Sequence, residues 1–185
     1  MFIRALFVPL VLLAGLAEIL AGQEPPDKAL TQLRGVNVLI EPLVAIGPSN
    51  SGLGFDSLGL KLAAEQRLAE AGVRVLSDSQ WHADPSLPFL DVVARVQRDS
   101  VTGDFIYCVN AVVYQGVVAD HDVRLLAAIW ESRVRFGRAS VATAAETLRA
   151  TALLAIDALA REYRASNPQR SRAVAPQQAD LPGGG

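Results

Sequence analysis

The chain has 185 residues, 51% of them hydrophobic, with 17 Lys and Arg against 19 Asp and Glu and a formal net charge of -2. A length of this order holds one domain with a real core and little more. With charge so nearly balanced nothing suggests a nucleic-acid binder, which usually shows a marked basic excess, and the single cysteine excludes an intramolecular disulfide.

The first 22 residues, MFIRALFVPLVLLAGLAEILAG, place Arg4 ahead of an apolar run from Ala5 to Leu20 that ends in small residues at Ala21 and Gly22. That is the layout of a secretory signal peptide, with cleavage expected near Ala21; cleavage after Ala17 also fits. As a membrane span the run is short, is interrupted by Glu18 and is followed by Pro25 and Pro26. No cysteine follows it to carry a lipid. The expected location is therefore periplasmic or secreted, with no stable membrane anchor after cleavage. Residues 23–34 read as a linker and 35–165 as one folded domain. Residues 166–185, rich in Pro, Gln, Ala and Gly, read as a disordered tail.

Within the domain, VNVLIEPL (36–43) alternates as a strand until Pro42 removes a ladder donor. After a glycine- and serine-rich loop, Asp56 or Ser57 can cap a helix over about 58–71, with Leu60, Ala64, Leu68 and Ala71 on one stripe and Gly72 at its end. VRVL (73–76) then predicts a second strand, parallel to the first across the crossover. From Pro88 the period becomes two: FLDVVARVQRD, FIYCVNAVVYQGVV and VRLLAAIWESRVRF read as antiparallel strands of a meander. A last helix, with Ser140 as a possible cap, carries Ala145, Leu148, Ala152, Ala155, Ile156, Leu159 and Tyr163 at helical spacing and stops at Asn167-Pro168. The expected fold class is α+β. The order βαβββα makes a two-layer sandwich of a mixed, mostly antiparallel sheet with two helices, most simply on one face.

The stretches GVNVLIEPL, LAEAGVRVLSDSQW, PFLDVVARV, LAAIWESRVRFG and DALAREYRASNP resemble a family of small, functionally uncharacterised secreted bacterial proteins. The resemblance spans about residues 33–168. It implies the same small α+β domain, similar in layout to the amino-terminal domain of the Tol-Pal translocation protein and to the curli-export lipoprotein, and it implies no catalytic residue.

Chemistry-bearing patterns are few. Asp120, His121 and Asp122 stand together, but neighbours on a strand point to opposite faces and a tight turn fans them outward, so they read as a turn. With His82 they are the weak metal-ligand candidates; no metal and no cofactor is expected. The glycines 47, 52, 54 and 59 follow the first strand where a phosphate loop would, and Asp78 follows the second where a ribose-binding acid would. The GxGxxG and GxxxxGK[ST] spacings are nevertheless missing. Cys108 reads as a buried thiol, and Trp81 and Trp130 as packing residues.

What stands out is an excess of apolar strand faces. In FIYCVNAVVY both parities are apolar, whereas a sheet covered on one side should be polar on the other. The expectation is a binding surface on the outer sheet face, centred on Val93, Val109, Ala111, Val113 and Ile129 and rimmed by Arg95, Arg133 and Arg135. Its partner would be another envelope protein or a second copy of the chain. The alternative is a more wrapped monomer, with residues 44–57 and 77–88 lying across the sheet. In function, the sequence reads as a non-enzymatic binding or assembly module of the bacterial envelope. The other reading is an envelope hydrolase using His121 or His82 with nearby carboxylates.

Overall fold

The computed structural model describes residues 28–41, 44–46, 53–84, 86–118 and 124–169. The proposed signal peptide, the predicted turn at Asp120, His121 and Asp122, the glycines at 47 and 52 and residues 170–185 of the predicted tail lie outside them; residues 166–169 of that tail lie inside, with Ser166 closing the last helix and Asn167 buried.

The described elements are α1 (Lys28–Thr31), β1 (Asn37–Ile40), β2 (Val44–Ile46), α2 (Ser57–Glu70), α3 (Asp78–Ala83), β3 (Phe89–Arg98), β4 (Phe105–Val118), β5 (Arg124–Glu131), β6 (Arg135–Ala139) and α4 (Ala144–Ser166). They form an α+β domain around one mixed sheet. β3 and β4 are its spine, antiparallel from Phe89↔Tyr114 to Arg98↔Phe105. β1 and β2 lie end to end along the free edge of β3, both parallel to it. β5 and β6 lie end to end along the free edge of β4, both antiparallel to it. The expected second strand is reduced to one parallel bridge, Val36↔Val75, closed by Val36 N–H to Arg74 O and Leu76 N–H to Val36 O, each 2.9 Å.

α2 begins and ends where its sequence says it should. The Asp56 carboxylate accepts from Gly59 N–H at 2.8 Å. Gly72 has φ +83°, which lets Val73 N–H reach back to Leu68 O and Gly72 N–H to Ala69 O, both at 2.9 Å. This pair of bonds satisfies carbonyls that the helix end would otherwise leave unpaired. α4 differs at its start: Thr143 is the N-cap and makes no side-chain cap bond, and Ser140 sits one turn earlier, its carbonyl accepting from Thr143 N–H.

The core lies between the sheet and α2 with α4. Leu60, Ala64 and Leu68 of α2 meet Leu148, Ala152, Ile156, Leu159 and Tyr163 of α4 over Val36, Val38, Leu90, Val92 and Val96. Burying each large side chain stabilises by roughly 1.5–3 kcal/mol, so the two long helices are held by the sheet rather than by propensity. Leu30 and Leu33, placed in a linker by the sequence reading, are buried in the same core. Beyond the helix end, Asn167 Nδ2 donates to Leu30 O at 3.1 Å and to Tyr163 O at 3.0 Å, tying α4 to α1.

α3 is a helix where the sequence analysis predicts no element. Ser77 Oγ accepts from Gln80 N–H at 3.2 Å while Gln80 Oε1 accepts from Ser77 N–H at 3.0 Å, the reciprocal pair of a capping box. This short helix lies against the other side of the sheet, where Trp81 meets Phe89 edge-on and Phe89 stacks at a tilt on Tyr114. Among the described residues, no helix is long and apolar enough to cross a membrane.

Candidate functional site: the outer sheet face and an overhanging ribbon

The pairing register assigns every strand residue to a face. Directly opposed residues share a side of the sheet, and α4 identifies the covered side: Thr151 Oγ1 lies 3.5 Å from the Tyr107 hydroxyl. Tyr107, Val109, Ala111 and Val113 therefore point into the core, and the last three are fully buried there. This corrects the sequence reading, which put Val109, Ala111 and Val113 on the outer face. Both parities of β4 are apolar, so periodicity could not say which one the helices cover.

Val93 and Arg95 are on the outer face, opposed to Asn110 and Cys108, but Val93 is buried there and only Arg95 meets solvent, which corrects the expectation of an exposed Val93. Ile129 is not. Val113 pairs with Trp130 and Tyr114 with Ala128, so Ile129 is the extra residue of a β-bulge and packs against the core. Arg135 opposes the buried Val109 and shares its side, with a buried Nε that has no partner among the described residues. Arg133 is exposed between β5 and β6.

The actual outer face is amphipathic along its length. At one end the aromatic cover of Trp81 closes over Phe89 and Tyr114. Next comes an acidic row in which Asp91 and Glu131 flank Val112. One oxygen of Asp91 is buried with no hydrogen-bond partner among the described residues, and the carboxyl is pushed from 3.8 up to about 6. Burial is the main cause and the nearby Glu41 carboxylate adds to it, against the weaker pull of Arg95. At the far end Cys108 sits between Arg95 and Phe136, and Ile106 between Gln97 and Arg138. Cys108 is half-buried there rather than enclosed, and Phe136 is 77% exposed.

The largest departure from a closed fold is in β4 and β5. β4 pairs with β3 only as far as Tyr114, yet runs on to Val118 paired with β5 alone. The result is a two-stranded ribbon that overhangs the sheet. Val117 and Leu125 oppose each other on one of its faces, while Leu126 and Val118 lie on the other. Their exposures are 37%, 52%, 61% and 68%, so among the described residues neither face of the ribbon is covered. Isolated two-stranded ribbons are marginal in water, and unpaired strand edges attract further strands. Along the open edge, a cleft of about 420 Å³ separates Gly116, Val117 and Val118 from Asp84 and Ser86.

The remaining chemistry-bearing residues have structural roles. His82 is exposed, with Nδ1 2.6 Å from Asp78 O one turn back in α3. Asp78 accepts from Lys61 Nζ at 2.7 Å and from Asn37 Nδ2 at 2.9 Å, and these bonds, Lys61 foremost, hold its pKa below the usual value. Its carboxylate thus joins α2, α3 and β1 instead of facing an open ribose site. Trp130 is buried and donates through Nε1 to Glu162 of α4. Among the described residues, no three His, Cys, Asp or Glu side chains are grouped to hold a metal ion; Asp120, His121 and Asp122 are not among those residues.

No family model matches the chain and no curated protein matches it. Among solved structures, the chain is similar to the PelC dodecamer from Paraburkholderia phytofirmans, at 16% identity and a TM-score of 0.31, covering 68% of this chain and 90% of that one. It is also similar to the hypothetical protein CT253 from Chlamydia trachomatis, at 10% identity and a TM-score of 0.31, covering 76% of this chain and 98% of that one. At these TM-scores neither likeness carries an argument about function.

Proposed function

We propose that the protein is a non-enzymatic binding and assembly module of the bacterial envelope, periplasmic or secreted, that associates with a second copy of itself through the β4–β5 ribbon. The observation that carries this is the overhang: four large aliphatic side chains, exposed on both faces of a ribbon whose open edge ends in a cleft. Val109, Ala111 and Val113 take no part in this surface, since the chain covers them itself. A second copy fits because identical open edges pair across a two-fold axis, each completing the other's ladder, and one axis buries the ribbon faces of both chains. Exposed apolar area of this kind is uncommon on a monomer without a purpose. The amino-terminal charge and apolar run, together with the resemblance to secreted bacterial proteins, support the envelope location.

The test is the mass in solution of the chain lacking residues 1–22, by light scattering, before and after the paired substitution Val118→Lys and Leu126→Lys. Both residues are exposed, so circular dichroism and the melting temperature of the folded domain should be retained. The expected result is a dimer that becomes a monomer. A monomeric parent, or a dimer indifferent to both lysines, would overturn the reading.

A further inference from the structure

On the opposite side of the molecule from α3, α2 and α4 enclose a groove of about 550 Å³. Its floor is small or apolar, with Ala63, Leu153 and Ala160, and its walls carry four arginines and two carboxylates. That is a local excess of two positive charges in a chain of formal net charge -2. The carboxylates are already engaged. Asp157 takes Arg67 as an ion pair across the groove, and Glu70 accepts from Gln66 Nε2 at 2.8 Å. Arg164 is committed as well, Nη2 donating to Glu70 O at the end of α2 at 3.3 Å. Arg149 and Arg161 are left over: both line the groove, both are exposed, and neither has a hydrogen-bonded or ionic partner among the described residues.

Along α4, Arg149 and Arg161 stand before and after Asp157, the partner of Arg67. They are twelve residues apart, about 18 Å along the helix axis. Guanidinium groups favour planar, bidentate acceptors such as phosphate and carboxylate. Attachment points set that far apart along the helix suit a chain of anionic groups lying lengthwise in the groove better than one small anion. We infer that the α2–α4 groove binds a linear, phosphate-bearing polyanion, with Arg149 and Arg161 gripping its two ends. This site is independent of the ribbon.

The probe is sodium tripolyphosphate, with inorganic phosphate and pyrophosphate for comparison, titrated calorimetrically into the chain lacking residues 1–22 at low and moderate salt. Tripolyphosphate should bind at least about tenfold more tightly than phosphate, with affinity falling as salt rises. Arg149→Glu with Arg161→Glu should abolish that preference, while Arg133→Glu, outside the groove, should change affinity less than twofold. Both groove arginines are exposed, so the double variant should keep its circular dichroism; should it not fold, Arg149→Gln alone must still weaken binding. Equal affinity for phosphate and tripolyphosphate, absence of binding, or equal loss in the Arg133 variant would refute the groove. Co-sedimentation with phosphatidylcholine vesicles containing phosphatidylglycerol, without tripolyphosphate binding, would mean that a lipid surface is bound and no soluble chain. The mass in solution of the Arg149/Arg161 variant should match its parent, which separates this outcome from failure of the ribbon dimer.

Discussion

Asp91 offers a test of the outer face with an unusual sign. Its carboxyl is partly buried between Leu39 and Val112, has one oxygen with no hydrogen-bond partner among the described residues, and is pushed by burial from 3.8 up to about 6. Because the folded-state value is raised, the folded state holds the proton more tightly than the unfolded chain does. The benefit is complete below about pH 4 and is lost as pH rises towards 6; above that, an ionised Asp91 is a burden on the fold. At about 1.36 kcal/mol for each tenfold change in acidity, the displacement corresponds to roughly 3 kcal/mol for a fully enclosed group. Solvent still reaches part of this side chain, which reduces the expected effect to about 1 kcal/mol. Asp91→Asn removes the ionisation and keeps the shape. It should therefore stabilise by about 1 kcal/mol at pH 7.5, a rise of about 3–5 °C in Tm for a domain of this size, and should change little at pH 4. The assay is urea unfolding of parent and variant across pH 4–8, taking the difference so that other carboxylates cancel. A variant no more stable than its parent at pH 7.5, or an equal gain at both ends, would refute the account of Asp91.

Three further outcomes follow from the packing. Leu159→Ala empties a fully buried site on α4 and should cost about 2–5 kcal/mol in urea unfolding. Gly137→Ala should cost about 1–3 kcal/mol, because a Cβ there would sit 2.3 Å from the Tyr107 hydroxyl; in a Tyr107→Leu background most of that cost should vanish, measured as a double-mutant cycle. Ser77→Ala removes one half of the capping box and should destabilise by about 1 kcal/mol, with faster amide exchange confined to α3; uniform exchange throughout the domain would show that α3 has no local role.

Much of the fold was legible in the sequence wherever a single parity or stripe was apolar. β3 alternates cleanly, with Leu90, Val92, Ala94 and Val96 inward. α2 announced its end at Gly72, and α4 its buried stripe from Leu148 to Tyr163. The same reasoning failed where both parities are apolar, since in β4 only the position of α4 decides that Val109 and not Cys108 is covered. It also failed where a strand changes phase: the bulge at Ile129 turns a residue inward that strict alternation sends outward. α3 could have been found, because Ser77 and Gln80 stand three apart in the capping pattern. The ribbon could not, since nothing in FIYCVNAVVYQGVV tells where its neighbour β3 begins. The arginine groove joins residues about ninety positions apart in the chain, a proximity that helix spacing alone does not supply.

The Asn167 side chain, by holding the carbonyl of Leu30, brings the beginning and end of the described fold within one hydrogen bond of each other. A circularly permuted chain should therefore close across these ends with a short flexible joint and open instead at the exposed turn around Val101 and Thr102. Such a molecule would keep every strand pairing while moving its loose ends to the far side of the sheet, and reporters could then be attached there without crowding either the ribbon or the groove.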